Sequence, residues 1–143
     1  MASALYTVDI LRLATNIPCL GRLESPHGSS ERRSPVCGSK IAVDVCVDAS
    51  GQVIELGQIV SACALGQAAA NLMAHRALGM RAGELETLSQ EVAAWLAGSG
   101  PAPADWADLL VLARAVDYPA RHGAIRLPFE AVAEAAARAA VHA

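Results

Sequence analysis

The chain has 143 residues, a formal net charge of -3 and no segment rich in Lys and Arg. This charge balance does not favour a protein that follows a nucleic-acid phosphate backbone. Hydrophobic residues make up 54% of the sequence but aromatic residues only 3%, and alanine supplies most of the excess. Because alanine favours closely packed helices, the composition indicates a helix-rich protein with one domain, which we place at residues 1–143.

The longest uncharged run extends from Leu56 to Ala74, which approaches the length of a membrane span. It contains polar residues and two glycines among weakly apolar alanines, so we interpret it as a strand, a turn and a helix. Near the N-terminus, Asp9 and Arg12 occur before any apolar stretch of signal-peptide type. The sequence therefore predicts a cytoplasmic protein with no membrane segment.

The first part of the chain predicts a helix followed by a long loop. Apolar residues recur at helical spacing between Ala4 and Thr15, and charged residues lie between them. The segment from Gly21 to Ser39 is rich in Gly, Pro, Ser and charge, which is typical of a surface loop. Within it we expect one short edge strand near Glu31 to Val36.

Two strands that pair as an antiparallel hairpin are predicted next. From Ile41 to Val47, Ile and Val alternate with other residues, and Cys46 lies on the face opposite to them. The sequence Asp48-Ala49-Ser50-Gly51 is a turn signal, and Val53 to Val60 forms the returning strand.

The rest of the chain predicts four helices. The first follows Cys63, has apolar residues from Leu65 to Leu78 and ends before Gly79. The others extend from about Ala82 to Ala97, from Trp106 to Val116, and from Pro128, which opens the last helix, through Val141. The fold class is therefore α+β, with a small three-stranded antiparallel sheet packed against several helices.

Two of the four cysteines lie where a metal could reach them. Cys37 occupies a Pro/Gly turn just before a strand, where access and backbone N–H groups favour a thiolate ligand. Cys63 follows the returning strand near the start of a helix, whose dipole favours negative charge. Hairpin geometry brings these two positions to one end of the sheet. For Cys19 and Cys46 we expect the more common role of a small packed side chain.

Several segments, in order, resemble the IscU/SufU/NifU N-terminal family of iron-sulfur cluster assembly scaffolds. "YTVDILRLATNIPCLGRLESP" resembles the family's opening helix and the "NPxNxGxL" segment that follows it, and "SPVCGS" its "xPxCGD" loop. "SACALGQAAANLMAHRALG" is similar to "GCxISxASxSxxxxxxxG", and "DYPARHGAIRLPFEAVAEA" to the SufU-like "FPARxKCAxLxWxxLxxA". The resemblance covers nearly the whole chain and implies the same fold.

The resemblance also implies a ligand set. It maps the first two family cysteines onto Cys37 and Cys63, the acidic ligand onto Ser39 and the third cysteine onto Ala124. Two of four family ligand positions are therefore changed, and a serine hydroxyl, which stays protonated near neutral pH, is a poor replacement. His122 lies close to the third position and is a further candidate metal ligand.

Three functions remain open. The first is a non-enzymatic scaffold-like carrier that binds iron or a [2Fe-2S] cluster through Cys37 and Cys63, with His122, a small thiol or a second subunit completing the site. The second is a degenerate scaffold that acts as an interaction module. The third is a zinc-dependent sulfur acceptor. The resemblance implies a cysteine desulfurase or other iron-sulfur assembly proteins as partners, and a homodimer is a further option.

Overall fold

The computed structural model describes residues 5–35, 38–104 and 106–142. Within these residues, four α-helices, three strands and two 3₁₀ helices follow one another. Their order is α1 (Val8–Ala14), β1 (Gly28–Arg33), β2 (Lys40–Val47), β3 (Val53–Ser61), α2 (Ala64–Ala77), α3 (Ala82–Leu96), a long 3₁₀ helix (Ala107–Asp117), a short 3₁₀ helix (Pro119–Arg121) and α4 (His122–His142).

The strands form one antiparallel sheet in the order β1-β2-β3. The predicted hairpin is confirmed, with Ile41 opposite Val60 and Val45 opposite Leu56. The predicted edge strand exists as β1, but it begins at Gly28 and ends at Arg33, and the predicted end at Val36 lies outside the described residues. The α+β fold with a three-stranded antiparallel sheet and several helices is confirmed.

Helix α4 packs directly on the inner face of the sheet. A Cβ atom at Gly28 would overlap the backbone of Ala135 and Ala139, so α4 and β1 approach as closely as two backbones can. The buried alanines of α4, Ala131 among them, leave room for this approach. The alanine-rich composition therefore serves close packing of a helix against a strand.

The outer face of β2 is also buried, in part by the segment 22–25. Asp44 points to this face and is buried, where it accepts bonds from Arg22 Nε at 2.7 Å, Leu23 N at 3.0 Å and Ser29 Oγ at 2.7 Å. Burial alone would raise the pKa of Asp44, but the bonds from Arg22, Ser29 and Leu23 outweigh burial and the pKa is lowered. Strand β2 therefore has both faces buried, which its alternating pattern did not predict.

Two predicted helix starts are wrong. Helix α1 begins at Val8, because the Thr7 Oγ1 accepts a bond from Ile10 N at 3.3 Å and caps the helix there. Helix α4 begins at His122, and Pro128 lies inside the helix instead of opening it. Since proline has no N–H, the Ala124 carbonyl loses its usual i+4 partner at this point.

The segment predicted as a helix from Trp106 to Val116 is a 3₁₀ helix from Ala107 to Asp117. Its buried residues are Leu109, Leu112 and Ala115, spaced by three, which matches the three residues per turn of a 3₁₀ helix. The ring of Trp106 packs edge-on against Phe129, with 5.6 Å between ring centroids. This contact fixes the segment to α4.

None of the helices in the described part of the chain combines the length and the apolar character needed to cross a bilayer. The uncharged run from Leu56 to Ala74 divides into the end of β3, a short connection and most of α2, as predicted.

Candidate metal centre

One end of the sheet carries the base of the loop in which Cys37 occurs. Lys40 at the start of β2 pairs with Ser61 at the end of β3. The loop between β1 and β2 is closed by a bond from Ser34 N to the Ser39 carbonyl at 2.8 Å. Cys37 itself lies outside the described residues. The two flanks of its loop are thus fixed at the sheet end where β3 finishes.

Cys63 lies at that same end, two residues after β3. It is the N-cap residue of α2, in extended conformation, and its carbonyl accepts the first helical bond from Gln67 N at 2.9 Å. The thiol is free and half-buried, and it makes no capping bond to the helix. The sulfur therefore sits at a positive helix end with part of its surface open, which suits an anionic ligand atom.

The first turn of α4 lies between the loop and the start of α2. A Cβ atom at Gly66 would be 3.3 Å from the Ala124 carbonyl oxygen and 3.5 Å from the Ala124 Cβ. A Cβ atom at Gly123 would be 2.9 Å from Ser34 Oγ. The start of α4 thus touches both neighbours, so the position that resemblance assigns to a third cysteine is packed beside the helix that Cys63 caps.

Both changed family positions are buried. Ala124 is 1% exposed and apolar. Ser39 is 4% exposed, and its carbonyl is engaged with Ser34. Among the residues the structure describes, no three His, Cys, Asp or Glu side chains are grouped so as to hold a metal ion. Of the predicted site residues, Cys63 and His122 lie in the described part of the chain, and Cys37 does not.

The imidazole of His122 is held by the long 3₁₀ helix. Its Nε2 lies 2.9 Å from the Ala115 carbonyl and 3.1 Å from the Val116 carbonyl. Both oxygens can only accept, so Nε2 carries the hydrogen and donates it. Nδ1 is then the ring atom with a lone pair available to a metal. A ligating histidine commonly donates its other N–H to a carbonyl in this way.

The other two cysteines differ from Cys63 in their surroundings. Cys46 is buried on the outer face of β2, and its thiol donates to the Ser25 carbonyl at 3.5 Å. Cys19 is exposed beside β3, where its carbonyl accepts a bond from Gln58 N at 2.9 Å, and its φ is 62°. Partial burial raises the pKa of its thiol. A raised pKa lowers the thiolate fraction, so Cys19 is a weaker ligand at neutral pH.

Two residues that shape this end of the sheet were not singled out from the sequence. Ser34 contacts the start of α4, and Gly66 lets α2 approach Ala124. A glycine inside a helix is itself a signal of close approach, since it costs helix stability. Ser34 gave no comparable signal.

The fold and the site together define a class of small α+β proteins in which a hairpin loop and two helix starts meet at one end of a three-stranded sheet. A search among solved structures finds the N-terminal NifU-like protein from Brucella abortus, described as nitrogen-fixing, at 34% identity and a TM-score of 0.89, over 97% of this chain and 96% of that one. The chain therefore belongs to the IscU/SufU/NifU-like family, of which that protein is a NifU-like member.

Two more solved structures share the fold at lower identity. A putative iron-sulfur cluster assembly scaffold protein for the SUF system from Fervidobacterium islandicum AW-1 has 18% identity and a TM-score of 0.85, over 93% of this chain and 97% of that one. A hypothetical protein has 20% identity and a TM-score of 0.82, over 94% and 98%. No family model and no curated protein sequence matches the chain.

Proposed function

We propose that this protein is a scaffold-like carrier in iron-sulfur cluster assembly, which binds iron or a cluster through Cys37 and Cys63. The observation that carries the proposal is the meeting of three elements at one sheet end: the flanks of the Cys37 loop, the N-terminus of α2 with Cys63, and the first turn of α4. Membership of a family that includes a NifU-like protein and the fold of a putative SUF scaffold support the same function.

The ligand set would be incomplete within one chain. Each iron of a [2Fe-2S] cluster takes two protein ligands, four in all, whereas the chain offers two mapped thiolates. The Nδ1 atom of His122 is a third candidate, because its Nε2–H is already bound to backbone carbonyls. A small thiol or the same residues of a second copy would fill the remaining positions. We therefore propose a homodimer as one form of the loaded protein.

A carrier of this kind needs no catalytic residue, and we propose that the protein is not an enzyme. Its cargo would be delivered and removed by other proteins, among them a cysteine desulfurase as the sulfur source. A site with few protein ligands and a half-buried Cys63 leaves coordination positions open to an incoming thiol. We place this activity in the cytoplasm and assign it to a single domain over residues 1–143.

The second candidate is an interaction module that keeps the fold without binding metal. It is favoured by the burial of Ser39 and Ala124, which makes both changed positions part of the packing. The third candidate, a zinc-dependent sulfur acceptor, is weaker. The resemblance puts the sulfur-accepting thiol at position 124, where this chain has a buried alanine.

Anaerobic reconstitution with iron and sulfide tests these candidates. Visible absorbance and iron per chain are measured for the wild type and for the double variant Cys37→Ser, Cys63→Ser, and a parallel sample receives zinc alone. The control is Cys19→Ser, which removes an exposed thiol from another part of the chain. A stoichiometric chromophore that is lost only in the double variant supports the carrier.

Iron at background level in a folded wild type would exclude the carrier and leave the interaction module. Stoichiometric zinc binding without a chromophore would instead favour the sulfur acceptor. A chromophore that survives in the double variant would show that other residues hold the iron.

A further inference from the structure

The end of the sheet that carries the candidate metal centre is positively charged, although the whole chain has a formal net charge of -3. This end is formed by residues 32–43, 56–66 and 118–129, which contain none of the 14 Asp and Glu residues. The cationic residues in these stretches are Arg32, Arg33, Lys40, Arg121 and Arg126. Of this set only Arg32 takes part in the ion pairs of the described residues, with Glu130 and Glu134. The other four cations have no paired carboxylate in the described chain.

Arg33 and Lys40 lie at the centre of this positive surface. They are directly opposite each other on β1 and β2, and both are exposed. Because side chains alternate along a strand, Lys40 shares the outer face of the sheet with Asp44, and Arg33 lies on that face as its cross-strand neighbour. Like charges directly opposite each other on neighbouring strands are destabilising. Glu31 is on the same face, but among the described ion pairs it binds neither cation. The two cations therefore repel each other at a cost in stability that an acidic partner would remove.

An exposed apolar residue, Ile59, continues this surface onto β3. It pairs with Ala42, two residues after Lys40, so its side chain lies on the same outer face, and it is 49% exposed. The next position along this face of β3 is Gly57, where an added Cβ atom would lie 2.6 Å from the Gly21 carbonyl oxygen. The outer face is therefore covered at Gly57 and open at Ile59. From β1 to β3, the open part presents a cation, a second cation and an apolar side chain.

The shape of this surface suits a protein segment better than a small molecule. Small ligands bind in concave clefts, and the clefts of about 710, 600 and 440 Å³ are lined by other residues. Alternate residues of an extended segment share one face at a spacing of about 7 Å. The long Arg33 and Lys40 side chains can reach acidic groups at that spacing from strands that lie about 4.8 Å apart.

We propose that Arg33, Lys40 and Ile59, the cationic face, bind a partner protein through an extended segment with two acidic residues and one apolar residue at alternate positions. The acidic side chains pair with the two cations, and the apolar side chain packs on Ile59. The other cations at this end attract the same partner at longer range and raise its association rate. A partner bound here lies beside the flank of the Cys37 loop. A role in metal delivery rests on the proposed function, whereas the binding itself needs no metal.

The test is an NMR titration of the metal-free, 15N-labelled protein, so that its outcome does not depend on the metal centre. The probe is the peptide acetyl-Glu-Ser-Glu-Ser-Leu-amide, and acetyl-Gln-Ser-Gln-Ser-Leu-amide is a neutral peptide of nearly the same shape. The acidic peptide is expected to give saturable shifts at Arg33, Lys40 and Ile59. The neutral peptide should bind about fivefold more weakly, which is the effect of losing two exposed ion pairs. A higher salt concentration should reduce this difference.

The variant Lys40→Gln removes one charge from the cationic face. It is expected to weaken binding of the acidic peptide about twofold to threefold and to leave the neutral peptide unchanged. The matched control is Arg12→Gln, which removes an exposed cation from α1 and changes the net charge by the same amount. Lys40→Gln should not lower stability in urea, because it relieves the repulsion with Arg33. A loss of binding in this variant would therefore not come from unfolding.

Several results would overturn the proposal. These are the absence of saturable shifts at the cationic face, equal binding of the two peptides, and equal affinities of Lys40→Gln and Arg12→Gln for the acidic peptide. A single-stranded oligonucleotide that shifts the same residues at lower concentration than the acidic peptide would assign the face to nucleic acid. Shifts that follow protein concentration without any peptide would assign it to a second copy of the chain. Iron binding in a protein that fails these tests would leave the carrier proposal standing and exclude only this docking surface.

Discussion

Gly66→Ala probes the contact that sets the start of α4 beside Cys63. The new Cβ would lie 2.7 Å from the Ala62 Cβ and 3.3 Å from the Ala124 carbonyl oxygen, and neither atom can rotate away. Overpacking of this kind costs about 1–3 kcal/mol. The higher helix propensity of alanine offsets up to about 1 kcal/mol of this cost, so we expect the free energy of unfolding to fall by about 1–2 kcal/mol.

The matched control is Gly83→Ala, another helical glycine, where a Cβ meets nothing within 4 Å. It should gain about 0.5–1 kcal/mol from helix propensity alone. Urea denaturation of both variants should separate their midpoints by about 1 M, given a slope of roughly 2 kcal/mol/M for a protein of this size. Equal midpoints would refute the close contact between α2 and α4 at Gly66.

Three further results are expected. Ala124→Cys should strengthen iron binding in reconstitution by at least about tenfold, because even residues that only hydrogen-bond the metal ligands change metal affinity by that much. An unchanged iron affinity would argue against a site at this end of the sheet. Asp44→Ala should lower stability in urea by about 1–3 kcal/mol, since it leaves the half-buried Leu23 N and Ser29 Oγ without their acceptor, and a neutral result would contradict these bonds. Because the pKa of Asp44 is lowered, its contribution to the free energy of unfolding is fully present above pH about 4 and is lost as the pH falls through the folded pKa. Acid titrations of the wild type and Asp44→Ala can measure this loss. Gly28→Ala should destabilise more than Gly66→Ala in the same urea assay, since its Cβ overlaps the helix backbone itself.

The regular elements were the most predictable part of the fold. The β2-β3 hairpin followed from alternation around a turn signal, and α2 and α3 followed from apolar residues at helical spacing with a glycine after each end. Positive φ values at Gly79 and Gly98 show why glycine stands there. Local preference and tertiary packing agree in these segments, so sequence alone was enough.

The wrong predictions concern segments in which the same local sequence preference is compatible with more than one structure. Pro128 suits the first turn of a helix, but α4 had already begun at His122, and the helix continues through the proline. The residues Leu109, Leu112 and Ala115 fit a helical pattern, although their spacing of three belongs to a 3₁₀ helix. In the middle of β2, Asp44 is paired with Arg22 on the outer face, and nothing in the loop sequence identified this pair.

The candidate site was predictable in its position more than in its chemistry. Hairpin geometry correctly placed the flank of the Cys37 loop beside the end of β3, as the pairing of Lys40 with Ser61 confirms. The proximity of the two sulfurs stays a prediction. The orientation of His122 could not be predicted, because it depends on carbonyls of a 3₁₀ helix whose path only the structure reveals.

The two changed family positions and Cys63 differ in a way that bears on how a cluster would be held. Ser39 and Ala124 are both buried and contribute to packing, while Cys63 keeps part of its surface open. A metal bound here would therefore be fixed on one side by the protein and exposed on the other, where exchangeable ligands complete its coordination. Because each protein thiolate must be released during transfer, fewer of them lower the number of bonds to be broken. A reduced ligand set is thus compatible with delivery of a cluster, although the protein would bind the cluster less tightly.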